Sequence, residues 1–219
     1  MAIFAIVVIC WVFSVCLHEF GHAWVAERGG DYTVREKGYL SMNPIHYTHP
    51  VTSFILPMVF MATGGIGLPG GAVYIENHLL RSRAWNTWVS LAGPAMNLIL
   101  VFIITVLLKL VFIPHYPNNE ATYALAFLLE LQICAVLFNL IPFPPLDGFQ
   151  ALEPWLPEGW VHGLKPLNDY GLFVIFFIFR AAPNLNHAFW DIVYWVLGTL
   201  GIDGEMAWTG YQAFQFWKH

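Results

Sequence analysis

His18 and His22 stand four positions apart with Glu19 beside the first, and all three lie inside an apolar run. On a helix, positions i and i+4 share a face, so both imidazoles can reach one ion. The carboxylate between them is then placed to take a proton from a water on that ion. The spacing His18-Glu19-Phe20-Gly21-His22 is therefore suited to a bound Zn²⁺ with Glu19 as general base. Three polar side chains inside an apolar segment are costly to bury, which points to a role in chemistry more than in packing.

Two histidines do not complete a catalytic zinc site, which takes three protein ligands and one open position. Position 28, where a longer H-E-x-x-H-x-x-G-x-x-H pattern would supply a third histidine, is Arg28. A glutamate from a later helix is another route. Glu36 and Glu76 lie in polar connectors, which leaves Glu130, deep in an apolar run. Asp147 is the stronger candidate. It follows an apolar run in Asn139-Leu-Ile-Pro142-Phe-Pro144-Pro145-Leu-Asp147-Gly148, where a carboxylate is expensive unless a cation balances it. The prolines halt the helix and the glycine permits a tight turn, so Asp147 can point inward from a rigid segment. An Asp-Gly turn at a helix exit would account for the same residues.

The H-E-F-G-H in an apolar helix, the later N-x-x-P-x-P-x-x-D-G, and Gly93-Pro94-Ala95-Met96-Asn97 between them together resemble the site-2 protease family of intramembrane zinc metalloproteases. The resemblance spans about residues 3 to 153. It implies peptide-bond hydrolysis within the bilayer, with His18, His22 and Asp147 as zinc ligands and Glu19 as base. It implies that Asn97 stands near the metal and holds substrate or polarises its carbonyl, although a helix–helix hydrogen bond would also explain an asparagine there. No PDZ domain separates the motifs and no CBS tail follows them, which is the pattern of the short, core-only bacterial members. The implied partners are a membrane-protein substrate, of single-pass type, and the lipid bilayer. The implied location is a bacterial inner membrane.

The elements that must position these residues are set by composition. The chain of 219 residues is 58% hydrophobic and only 11% charged, with a mean hydropathy of +0.61. That is about half the charge of a soluble domain, so the expected class is an all-α polytopic membrane protein forming one domain over 1–219. Nine Lys and Arg against fourteen Asp and Glu exclude a nucleic-acid partner. Cys10, Cys16 and Cys134 sit in apolar runs and offer no disulfide or metal framework. The run 3–26 makes about 36 Å of helix, enough to cross, and without a basic start or a cleavage site it reads as an uncleaved span. Spans are expected at 85–113 and 121–141 as well. These are the three core helices of the zinc site. A strand is expected near Tyr32–Val34. The short run 51–75, broken by its glycines, reads as a re-entrant hairpin with minor β structure, whose edge around 64–75 could pair with an extended substrate. Residues 170–202 supply one or two further apolar segments. Trp155, Trp160, Tyr170, Trp190, Tyr194, Trp195, Trp208, Tyr211 and Trp217 read as interfacial anchors.

The ligands must meet at one depth, which constrains topology. Arg28, Arg35 and Lys37 follow the first span, so the positive-inside rule makes that end cytoplasmic and sets the active site nearer that side. Asp147 follows 121–141, so this span exits there too, and 51–75 must begin and end on the same face. The rival readings are a catalytically silent or metal-handling scaffold of the same fold, and a zinc protease acting on soluble peptides. The candidate second partners of the two histidines, Asn139, Ser14 or backbone carbonyls, are not distinguished by sequence.

Overall fold

Inside a bilayer every backbone N–H and C=O must be satisfied within the protein, and apolar runs of this length do so as helices. The computed structural model describes residues 1–49, 53, 55 and 70–218. Three of its helices are long and apolar enough to cross a membrane: Ala2–Gly29 (α1), Arg83–His115, whose α-helical part is Arg83–Leu107 (α2), and Glu120–Asn139 (α3). No strand occurs among the described residues.

α1 packs chiefly on α2, and α3 packs against both. The outward faces are as apolar as the inward ones. Ile9, Phe102 and Leu110 are 68%, 69% and 67% exposed, as expected where lipid is the solvent. The interior is not purely apolar: the buried face of α3 carries Gln132 and Glu130 among Leu128, Leu129 and Ile133, and α1 and α2 bury polar side chains such as Ser14, Glu19, His22 and Asn97.

Two connections decide where the site's elements end. α1 stops at Gly30, whose φ of 119° suits a residue without Cβ, and the Gly30 N–H caps the Ala26 and Glu27 carbonyls. The chain after the undescribed residues returns to the same point, where the Arg81 N–H bonds the Gly29 carbonyl at 2.9 Å. Hence α1 ends and α2 begins at one end of the bundle. α3 ends there too. After Pro142–Pro145, the helix Asp147–Leu152 (α4) packs on the first turns of α2, and Thr87 Oγ1 donates to the Ala151 carbonyl at 2.8 Å.

The strand expected near Tyr32–Val34 is not formed. Thr33–Glu36 is a single helical turn, because Asp31 Oδ1 accepts from both the N–H (3.0 Å) and the hydroxyl (2.6 Å) of Thr33 and so starts a turn. The hairpin read over 51–75 lies mostly outside the described residues. Its final part, 70–75, has no regular secondary structure. The C-terminal apolar stretch forms Leu167–Ala181 (α5) and Pro183–Thr199 (α6), bent by 97° at the break before Pro183. Gly204–Phe214 (α7) then packs on α3.

Candidate metal centre

α1 presents His18 and His22 on the face that meets α2, and α4 presents Asp147 from its first turn. His22 Nε2 lies 3.0 Å from His18 Nε2 and 3.5 Å from Asp147 Oδ1, and His18 Nε2 lies 3.2 Å from Asp147 Oδ2. The His18 and Asp147 side chains are 12% exposed and that of His22 is 7% exposed. Among the described residues these three form the one group of His, Cys, Asp or Glu side chains whose donor atoms converge in this way. Glu130 stands apart from it, buried on α3 with Oε2 lacking a hydrogen-bond partner.

Proton positions decide what the convergence means. The His22 Nδ1 lies 2.7 Å from the Val89 carbonyl, which can only accept, so the ring proton is on Nδ1 and Nε2 offers a lone pair. His18 Nδ1 lies 2.5 Å from Asn97 Oδ1, with the same consequence. Two imidazole lone pairs and a carboxylate then face one another, and Asp147 Oδ2 is buried with no hydrogen-bond donor. A proton could relieve one pair of these atoms at a time. A metal ion relieves all three.

The donor set and spacing fit zinc. Bonds of about 2.0–2.1 Å in a tetrahedron put neighbouring donors about 3.3–3.4 Å apart. The separations of 3.0, 3.2 and 3.5 Å, the last two to different oxygens of the Asp147 carboxylate, are close to that spacing, and one donor atom from each residue lies within 4.8 Å of the other two. Gly93 shows how tightly α2 closes the cradle: a Cβ there would fall onto His22 Nε2 and within 2.6 Å of His18 Nε2. Pro94 next to it lacks the N–H that would otherwise bond the Ser90 carbonyl, so the helix loses one rung in the turn whose Val89 carbonyl holds His22.

Glu19 is buried on the neighbouring face of α1. Residues of the 70–75 segment lie against it. A Cβ on Gly71 would come within 3.1 Å of Glu19 Oε1, and the Val73 backbone is within hydrogen-bonding reach of its carboxylate. This segment is held in place from outside the site: the Ala72 N–H bonds the Tyr47 carbonyl, the Glu76 N–H bonds Asp31 Oδ2 at 2.8 Å, and Lys37 Nζ reaches the Tyr74 carbonyl.

Asn97 is buried with both amide atoms engaged. Its Oδ1 faces His18, and its Nδ2 donates to Gln132 Oε1 at 2.7 Å. Of the partners that sequence left undistinguished, a backbone carbonyl serves His22 and Ser14 stands further back, bonded to Gln132; His18 is served by Asn97, which was not among them. Gln132, fully buried in the middle of α3, was not singled out by sequence reasoning. An uncharged amide in an apolar run was its only signal.

Comparison with known proteins shows what the chain as a whole is similar to. Residues 4–116 match the family model described as Peptidase family M50. The chain is 41% identical over 218 residues to Rip2 of Mycolicibacterium smegmatis, covering 100% of this chain and 83% of that protein. It is 30% identical over 194 residues to YwhC of Bacillus subtilis, covering 85% and 84% of the two chains. With MJ0611 of Methanocaldococcus jannaschii it shares 31% over 159 residues, 73% of this chain and 74% of the other. The names of all three relatives assign them provisionally to the zinc metalloproteases. No solved structure matches the chain.

Proposed function

The chain belongs to peptidase family M50, the site-2 protease family of membrane-embedded zinc metalloproteases, and on that premise we propose that His18, His22 and Asp147 hold its zinc while Glu19 serves as general base. The observation that carries this reading is the approach of the two Nε2 atoms and the Asp147 carboxylate to within 3.0–3.5 Å of one another, in a helix that can cross a bilayer. Zinc, when bound, would supply Lewis-acid polarisation and a water whose pKa is lowered to about 7.

The remaining work falls to the chain. Val89 and Asn97 keep the ring protons of His22 and His18 on Nδ1, so both Nε2 lone pairs stay directed at the centre. Asn97 is thereby a positioning residue, its amide committed to His18 and Gln132 and not free for a substrate carbonyl. Glu19 takes a proton from the attacking water and returns it to the leaving amine. Residues 70–75 pass beside Glu19 and could offer backbone groups to an unwound substrate.

The substrate we assign is a single-pass membrane protein cut in or near its span. The cluster of Arg28, Arg35, Lys37, Arg81 and Arg83 at the end of the bundle where α1 finishes supports a cytoplasmic location for that end, and with it an active site nearer the cytoplasm of a bacterial inner membrane. Reconstitution with a single-span reporter and with a soluble peptide of the same sequence tests the assignment. Wild type should cleave the embedded reporter and Glu19→Gln should not. Cleavage confined to the soluble peptide would contradict it.

A further inference from the structure

Gln132 sits in the middle of α3 with no exposed surface, and it has no role in the chemistry described so far. Its amide joins two other buried side chains. Asn97 Nδ2 donates to Gln132 Oε1 at 2.7 Å, and Gln132 Nε2 donates to Ser14 Oγ at 2.9 Å. Ser14 in turn donates its only hydroxyl proton to the Trp11 carbonyl at 2.8 Å. These groups form one line from the α1 backbone through α3 and α2 and back to His18 on α1.

The direction of every bond in that line follows from its end. A carbonyl can only accept, so the Ser14 hydroxyl proton points at Trp11 and its oxygen is left to accept. Gln132 must then present its NH₂ to Ser14 and its carbonyl to Asn97. Asn97 must spend its NH₂ on Gln132 and turn Oδ1 to His18. His18 must keep its proton on Nδ1, which leaves the Nε2 lone pair on the side of Asp147. Asn97 alone does not decide this. A side-chain amide freed from Gln132 can turn over and offer NH₂ to His18, and the ring proton would then move to Nε2, the form that cannot bind a metal.

We infer that Gln132 is a positioning residue for the metal centre: with Ser14 it fixes the orientation of the Asn97 amide and so the tautomer in which His18 can bind zinc. Buried Asn97, Gln132 and Ser14 have no water with which to exchange these roles, being 4%, 0% and 2% exposed. The inference rests on the assignment of His18 as a ligand. Hydrogen-bond partners of metal-binding histidines are worth about 10–100-fold in metal affinity, which sets the size of the expected effect.

Two variants separate the orientation of the amide from the filling of space. Gln132→Met keeps the volume and removes the polar end. Gln132→Glu keeps an acceptor for Asn97 Nδ2 whether the carboxyl is ionised or protonated. Zinc dissociation constants by chelator competition, on detergent-purified protein, should weaken about 10–100-fold for Gln132→Met and stay close to wild type for Gln132→Glu. Nitrogen-15 spectra of the metal-free protein should show His18 protonated at Nδ1 in wild type and Gln132→Glu, with an Nε2–H population in Gln132→Met. Ser14→Ala, which disturbs the line one step earlier and removes less volume, should shift His18 in the same direction and by less. Wild-type affinity in Gln132→Met, or equal loss in both Gln132 variants with the His18 ring unchanged, overturns the inference. Absence of zinc from wild type would overturn the ligand assignment instead, and the ring spectra would still report on the line by themselves.

Discussion

Glu19 and its neighbours carry the argument at the scale of single residues. Glu19→Gln removes the base but leaves the three donor atoms in place, so cleavage of a membrane reporter should fall by about 10²–10⁴-fold. Elemental analysis of the same sample should find zinc unchanged, and loss of metal along with activity would mean that Glu19 acts through the centre's structure. The grouping of His18, His22 and Asp147 was legible in sequence because helical spacing puts the histidines on one face and because an aspartate beside a span needs a counter-charge. The orienting shell was not. Ser14 was one of several candidates for direct contact with an imidazole, yet it lies behind Gln132 and Asn97. Gln132 and Asn97 meet across two helices, and no local pattern records such a pairing.

At the scale of elements, the closeness of α1 and α2 is what makes the centre. Gly93→Ala puts a methyl group against both imidazoles, and only a shift of α2 or of the rings can relieve it. Overpacking of this kind costs about 1–3 kcal/mol, and metal binding should suffer more than folding, because the clash is with the donor atoms themselves. Zinc titration beside thermal unfolding in detergent separates the two, and full zinc affinity in a stable Gly93→Ala protein would argue against the cradle. Asp31 performs a different service, tying residues 70–76 to the end of α1 through the Glu76 N–H while holding the Thr33 turn. Asp31→Ala removes the acceptor of those partly buried donors. We expect a loss of about 1–3 kcal/mol in stability and reduced cleavage with zinc retained, as measured by unfolding, reporter cleavage and metal content. An unaffected variant would show that the segment is held by other contacts. Here the sequence misled locally: β-branched and aromatic residues at 32–34 suggested a strand, and Asp31 as a turn-former outweighed them. The long spans were legible from apolar run length. The 97° break between α5 and α6 was foreshadowed by Pro183, although its angle is a matter of tertiary packing.

For the whole molecule, many exposed large apolar side chains and three helices long and apolar enough to cross a membrane, among the described residues, fit a protein whose solvent is lipid. The end of α1, the start of α2 and the α3–α4 turn meet at one end of the bundle, with Arg28, Arg35, Lys37, Arg81 and Arg83, five of the nine basic residues, close to it in sequence. Single cysteines placed at 76–83, in a background lacking Cys10, Cys16 and Cys134, should react with a membrane-impermeant thiol reagent only from the cytoplasmic side. Labelling from the outer side would reverse the proposed orientation. The class of molecule was legible because charge content alone excludes a water-exposed surface. Its sidedness rests on a small number of basic residues with acids among them.

The most direct test of the account is the metal content of detergent-purified protein, with wild type set against His22→Ala and Asp147→Ala. The account predicts about one zinc per chain in wild type and loss in both variants, since three protein ligands are needed and two do not hold the ion. Zinc retained by Asp147→Ala, or its absence from well-folded wild type loaded with the metal, would contradict the centre on which the proposed chemistry depends.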